Sequence, residues 1–191
     1  MDISLWPEDS RPEHNIPCDH CQLAQHCSRV IWGEGNPSAA AWILLDNPGS
    51  RRNSEGSPYV CETRWTLYQT TLKAGFQPGD LYLTYVLRRR PLRSYNKDIE
   101  RHLCVSNLEE QLLHHAPSLL LCLGNVALRT FTGDPQMRVK DTRQHWWMRS
   151  GLQFSATYHP LAIRRNLALQ SLFDQDWIFF HKGYRAIHDG T

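Results

Sequence analysis

Four short runs of apolar residues punctuate the chain: 40–46 (AAWILLD), 81–87 (LYLTYVL), 118–124 (SLLLCLG) and 152–158 (LQFSATY). Short apolar strands separated by helices predict a sheet covered on both faces. Between them, helical patterns cover 62–75, stopped by Gly75, then about Lys97 to His115, Gly124 to Phe131, and roughly 167–182. Strands alternating with helices predict an α/β fold, a three-layer α/β/α sandwich around a central, mostly parallel four-stranded sheet. In such a sheet ligands bind beyond the carboxyl ends of the strands. The loops that start at Asp46, Arg88, Gly124 and Tyr158 are therefore expected on one face. Residues 1–17, with prolines at 7, 12 and 17, read as a loosely held arm. No repeat or linker divides the rest, so one domain over 1–191 is expected.

Composition narrows the class without naming it. The 191 residues are 41% hydrophobic and 21% charged, as in ordinary globular domains. No apolar run is long enough to span a bilayer. The polar, acidic start lacks the basic-then-apolar pattern of a secretory signal. A cytoplasmic monomer with no membrane partner is the expectation. The net charge of +2 says little, but its distribution says more. Arg51-Arg52, Arg88-Arg89-Arg90 with Arg93, and Arg164-Arg165 form three tight clusters near strand ends or loops. They are either solvated charge runs or the grip on a polyanion. Six cysteines in such a chain argue for metal or core roles rather than a disulfide framework. Cys18 and Cys21 make a C-x-x-C pair, Cys27 follows closely, and Cys104 is remote; Cys61 and Cys122 read as small core residues.

Seven pieces, in order, carry a resemblance. They are Cys18 with Cys21, Gly33-Glu34-Gly35-Asn36-Pro37, Leu45-Asp46-Asn47-Pro48-Gly49, Gly56-Ser57-Pro58-Tyr59-Val60, Thr84 to Pro91 with Cys104, Leu123-Gly124, and Tyr158-His159-Pro160. From about Cys18 to Arg165 the chain resembles the uracil-DNA glycosylase superfamily, and within it the family 4 (iron–sulfur) enzymes. That family reads C-x-x-C, GEGNP, GEAPG, GRPFVG, TNVVKCRPP, a later Cys, LG and HPS. The departures are specific. Asp46 and Asn47 stand where the family has the Glu-Ala of GEAPG, giving an Asn-Pro-Gly loop similar to the mismatch-specific branch. Tyr85 stands for the Asn of TNVVKC, Arg89 for its Cys, and Leu161 for the Ser of HPS.

The resemblance implies a DNA glycosylase that flips a base out of the helix and hydrolyses its bond to deoxyribose. Departure of the base leaves an oxocarbenium-like sugar and an anion, so the site must place a water and stabilise negative charge. Asn47 would orient the water through its amide oxygen, and Asp46 would accept a proton from it; both residues also suit a plain tight turn. His159 would donate to the base, Tyr59 would stack on it, and Gly49 and Tyr85 would line the pocket. A phenol cannot reproduce the donor–acceptor pair of an amide, so Tyr85 points to a non-canonical base other than plain uracil. A modified cytosine in viral DNA, with a role in defence, is one such base; a divergent uracil repair enzyme and a non-catalytic DNA binder are the alternatives. Arg88, Arg89, Arg90, Arg164 and Arg165 would contact phosphates, and Ile163 would be the apolar wedge. No loop inserted after Arg90 suggests a covalent trap, so a hydrolytic, monofunctional reaction is expected, on DNA containing a damaged or modified base.

The resemblance also implies a structural [4Fe–4S] cluster held by cysteine thiolates. Cys18, Cys21 and Cys104 match ligand positions, and Cys27 is the expected fourth. A His ligand (His20, His26 or His102), a zinc ion, or no metal at all are the other outcomes.

Overall fold

A computed structural model of the chain describes residues 6–10, 18, 21–26, 29–50 and 60–188. Its sheet contains β1 (Glu34–Gly35), β2 (Ala41–Leu45), β3 (Leu81–Tyr85), β4 (Leu119–Leu123), β5 (Trp147–Arg149) and β6 (Leu152–Thr157). Their spatial order is β1-β3-β2-β4-β6-β5. The four expected strands form the parallel centre, with Ile43 opposite Leu83 on one side and Leu121 on the other. Two short antiparallel strands, β1 and β5, extend the sheet at its edges. Neither has the length or the apolar run that makes a strand visible in sequence. β5 turns into β6 through Ser150 and Gly151, both at positive φ (49° and 83°), the backbone a two-residue hairpin turn requires.

The helices are α1 (Glu62–Ala74), α2 (Lys97–His115), α3 (Gly124–Thr132), α4 (Val139–Thr142), α5 (Pro160–Arg165) and α6 (Gln170–His188). Gly75 ends α1 in the left-handed region at φ 104°, returning its N–H to Leu72 and so closing the helix where the sequence predicts. Asn96 caps α2 by accepting from the Ile99 N–H at 3.2 Å.

The period of two along each strand sorts the side chains into two cores. Ala41, Ile43, Leu45, Leu83 and Tyr85 face α1, α5 and α6, meeting Leu67, Ile163, Phe173, Trp177 and Phe180. Trp42, Leu44, Leu120 and Cys122 face α2, α3 and α4, meeting Cys104, Leu108, Leu128 and Val139. This is the expected three-layer sandwich.

Part of the arm is held rather than loose. Trp6 is buried against the first core, and the strand-edge backbone bonds to it: Gly35 N–H donates to the Pro7 carbonyl at 2.8 Å, and Asp9 N–H to the Gly33 carbonyl at 2.9 Å. Among the described residues no helix is long and apolar enough to cross a membrane.

Candidate active site

Parallel pairing places the ends of β2, β3, β4 and β6 at one edge of the sheet, and the loops there converge. Gly124, at φ 87°, sits so close to the β6 loop that a Cβ on it would lie 3.2 Å from the His159 Cβ. A Cβ on Gly49 would lie 2.6 Å from the Cys61 Sγ, so the turn after β2 packs onto the start of α1. A side chain at Gly49 would push these apart. Between them lies a cavity of about 100 Å³, walled by Asn47, Gly49, Arg64, Tyr85, His159 and Leu161 among others. Four residues singled out from sequence, Asn47, Gly49, Tyr85 and His159, therefore meet at one small space.

Asp46 is beside the cavity but not part of its wall. Both its carboxylate oxygens take a guanidinium partner, Arg101 Nε at 3.3 Å and Nη2 at 3.2 Å. A water approaching Asp46 must compete with that bidentate pair. Asn47 is placed better: its Nδ2 donates to the Pro48 carbonyl at 3.0 Å, which fixes the amide and leaves Oδ1 as the acceptor. Arg101, on α2, holds the Asp46 carboxylate, and local sequence gives no reason to single it out.

His159 caps α5. Its Nδ1 accepts from the Leu161 N–H at 3.2 Å, which puts the ring proton of the neutral imidazole on Nε2. Burial lowers its pKa, while the negative charge of Asp46 works in the opposite direction. The ring is thus a neutral donor held in one tautomer.

Below these lies a polar group that the sequence reading missed. Glu34 is fully buried, with one carboxylate oxygen accepting from the Tyr85 hydroxyl and the other from Arg64 Nη2. Tyr85 thus walls the cavity with its ring while its hydroxyl is turned to Glu34. Glu34 lies within the Gly33–Pro37 segment already quoted in the resemblance, so a signal existed; Arg64, inside an ordinary helix pattern, had none.

The residues expected to bind DNA divide sharply. Arg88 is not a surface group: it is fully buried. Its Nη1 donates to the Trp32 carbonyl at 2.7 Å and Thr84 Oγ1 at 2.8 Å, and Nη2 to Gln111 Oε1 at 2.9 Å. Its guanidinium also lies over the Trp32 ring, 4.4 Å from the centroid. Burial lowers its pKa to about 10. Arg89 is half-buried and donates through Nε and Nη2 to the Cys18 carbonyl at 3.3 Å. Arg90, Arg164 and Arg165 are exposed, Arg164 pairing with Glu62. Ile163 is corrected as well: it is a core residue at 2% exposure, whereas Leu161 stands 42% exposed at the cavity mouth. Tyr59, Arg51 and Arg52 lie outside the described residues.

Cys18, Cys21 and Cys104 gather on the α2 side of the sheet, close enough to feel one another's charge. Burial pushes the Cys104 thiol up to about 11 and raises that of Cys21. Arg89 stands beside Cys18. Among the described residues, no group of three or more His, Cys, Asp or Glu side chains is placed to hold a metal ion, so these residues alone do not fit a four-thiolate cluster. Cys27 lies outside the described residues. Cys122 is fully buried in the second core, and Cys61 lines the cavity.

Comparison with known proteins agrees with this architecture. Three relatives are type-4 uracil-DNA glycosylases. The one from Pyrobaculum aerophilum is 27% identical over 87% of this chain and 89% of its own length. That from Archaeoglobus fulgidus is 25% identical over 85% of each chain. That from Sulfurisphaera tokodaii is 25% identical over 86% of this chain and 79% of its own. The family model of the Uracil DNA glycosylase superfamily matches residues 32–180, which span every strand of the sheet and the whole cavity wall; the chain belongs to that superfamily.

Proposed function

We infer that the chain is a monofunctional DNA glycosylase that excises a non-canonical pyrimidine and leaves an abasic site. The observation that carries this is the meeting of Asn47, His159 and the Tyr85 ring around a cavity of about 100 Å³ at the carboxyl ends of the strands. That volume is a few water molecules' worth, at roughly 30 Å³ each, a scale suited to one small ring.

In the reaction, the bond from C1′ to the base nitrogen breaks and its electron pair leaves with the base. Asn47 Oδ1 orients the water that adds to C1′, and the water's proton passes to solvent or to Asp46. His159 Nε2–H meets the carbonyl oxygen where charge accumulates. A neutral donor serves as well as a cation here, because the stabilisation comes from a dipole fixed in advance. Tyr59 supplies the stacking face in this reading. Arg90, Arg164 and Arg165 supply phosphate contacts, and Leu161 replaces Ile163 as the wedge.

For the thiol group we propose a structural [4Fe–4S] cluster on Cys18, Cys21, Cys104 and Cys27. Its support is the C-x-x-C pair of Cys18 and Cys21, the place of Cys104 in the resemblance, and the nearness of Cys27 in sequence. Iron and sulfide content of anaerobically purified protein tests it; a colourless, iron-free protein refutes it.

Mass spectrometry of free bases released from defined DNAs tests the main reading. The panel includes uracil, which the relatives' names give as their base, along with hydroxymethylated and glucosylated cytosine. Release of any base supports the glycosylase. Release of only a modified cytosine supports the narrower expectation of defence against foreign DNA. Tight binding with no release from any substrate moves the conclusion to a non-catalytic binder.

A further inference from the structure

A second buried carboxylate lies beside the end of β6, the strand that delivers His159. Asp176, on α6, is 1% exposed. Thr157, the last residue of β6, donates through Oγ1 to its Oδ2 at 2.7 Å. Arg143 spans both oxygens, with Nε on Oδ2 at 3.1 Å and Nη2 beside Oδ1 at 2.8 Å. Gln144 Nε2 donates to Oδ1 at 2.9 Å. Gln144 makes that bond from φ 60°, a left-handed backbone that a non-glycine residue keeps only where its surroundings fix it. All of these residues stand outside the cavity wall. Thr157 is also where the ladder lets the chain go: its pairing with Leu123 is the last rung between β4 and β6. Beyond it His159 must bring Nδ1 to the Leu161 N–H, with Gly124 close against its Cβ.

We propose that Thr157 and Asp176 are positioning residues for His159, a role that rests on His159 being the donor to the departing base. A buried carboxylate is tolerable only when donors match it, so Arg143 and Gln144 lock Asp176 in one place. Asp176 in turn fixes the Thr157 side chain, and with it the backbone two residues ahead of the imidazole. That sets where the chain enters α5, keeping Nδ1 on the Leu161 N–H and Nε2–H aimed at the base. Neither residue touches base or water. A reacting group displaced by about 1 Å costs on the order of 100-fold in rate, so a shift too small to disturb the sheet is large enough to read in catalysis.

Thr157→Val keeps the shape and removes the donor, while Arg143 and Gln144 still match Asp176. Single-turnover base release should fall about 10- to 100-fold, with DNA affinity by anisotropy unchanged. Thr157→Ser, which restores the hydroxyl, should recover most of the rate. The readout that packing alone would not move is the 15N spectrum of the His159 ring. Above neutral pH the wild type should show an unprotonated Nδ1 and a protonated Nε2. In Thr157→Val the two nitrogens should move toward averaged values as the bond from the Leu161 N–H loosens. If the Val variant does not fold, Gln144→Gly, at a backbone position that suits glycine, removes a different donor. It reads the same two observables, with a few-fold loss in rate. A wild-type rate in Thr157→Val, a slowed variant with an unchanged ring spectrum, or a loss that Thr157→Ser does not restore overturns the proposal. A wild type that releases no base refutes the glycosylase reading instead, and the ring spectrum, which needs no substrate, then decides the positioning by itself.

Discussion

Arg88 offers the sharpest opposition between a surface and a core role, because the sequence places it in a basic run and the structure encloses it. Consider Arg88→Met, which fills much of the same volume with no donors. Three hydrogen bonds of 2.7–2.9 Å from a charged group vanish, to the Trp32 carbonyl, Thr84 Oγ1 and Gln111 Oε1. The contact over the Trp32 ring goes too. Bonds to charged groups are worth about 1.5–3 kcal/mol each, so the gross loss is several kcal/mol. Two terms reduce it. Thr84 still donates to Gln111 Oε1 at 2.6 Å, and Gln111 still reaches the Trp32 carbonyl at 3.4 Å, so those acceptors keep a partner. Removing the cation also removes its desolvation cost, the same cost that lowers its pKa. The net is about 3–4 kcal/mol, or on the order of 10 °C in melting temperature for a domain of this size. The companion measurement is the slope of log affinity against log salt for a DNA duplex. It should be unchanged by Arg88→Met under conditions where the variant is folded. Arg90→Ala should instead lower it by about 0.9, one phosphate contact, with little effect on melting. A variant at position 88 with wild-type melting and a shallower salt slope would refute the burial and return Arg88 to the DNA surface.

Asn47→Ala should slow base release by roughly 10²–10³-fold, the range for losing a group that orients or stabilises the reacting atoms, while fluorescence anisotropy shows DNA affinity little changed; full activity removes Asn47 from the mechanism. His159 has a depressed folded pKa, so its contribution to stability is present above its unfolded value of about 6.5 and is lost as pH falls below that toward the folded value. Melting temperature measured from pH 7.5 down to 5 should therefore fall less steeply in His159→Gln than in wild type, and the rate governed by His159 should stay flat from pH 6.5 upward; a rate that rises as the ring protonates would make His159 a cationic donor instead. Leu161→Ala should slow cleavage of duplex about tenfold and spare single strands, whereas Ile163→Ala should cost about 2–4 kcal/mol of stability as a core truncation; the reverse pattern restores Ile163 as the wedge.

The parts of this fold that were legible in sequence share a physical reason. Three of the four central strands, covered on both faces, are near-continuous apolar runs and easily read, while the fourth is read from the alternation of Leu152, Phe154 and Ala156 with polar residues. Gly75 marks the end of a helix because its special role is local. What stayed hidden depends on the third dimension. Arg88 and Arg90 are the same residue type two positions apart, one buried and one exposed, and nothing local separates them. Leu161 and Ile163 are also two apart, so on a helix they point about 200° away from each other. Only one of them can face the core, and the packing of α5 against the first core decides which. β1 and β5 escaped because an edge strand needs neither length nor apolar continuity when its neighbour supplies the ladder.

Tyr85 is a departure that the sequence shows and the structure connects to partners the sequence does not show. On sequence it replaces an amide that would read the edge of the base, which makes the phenol a candidate reader of a differently shaped one. The structure gives the hydroxyl another partner. Glu34 is fully enclosed, and a buried carboxylate is tolerable only when its oxygens are matched by donors. Tyr85 supplies one donor from β3, and Arg64 supplies the other from α1. An amide in place of Tyr85, shorter than a phenol, would not span the same distance to Glu34. The tyrosine, the glutamate and the arginine therefore form one hydrogen-bonded unit beside the cavity. A change at Tyr85 alone should then disturb Glu34 and Arg64 before it alters any direct contact with a base.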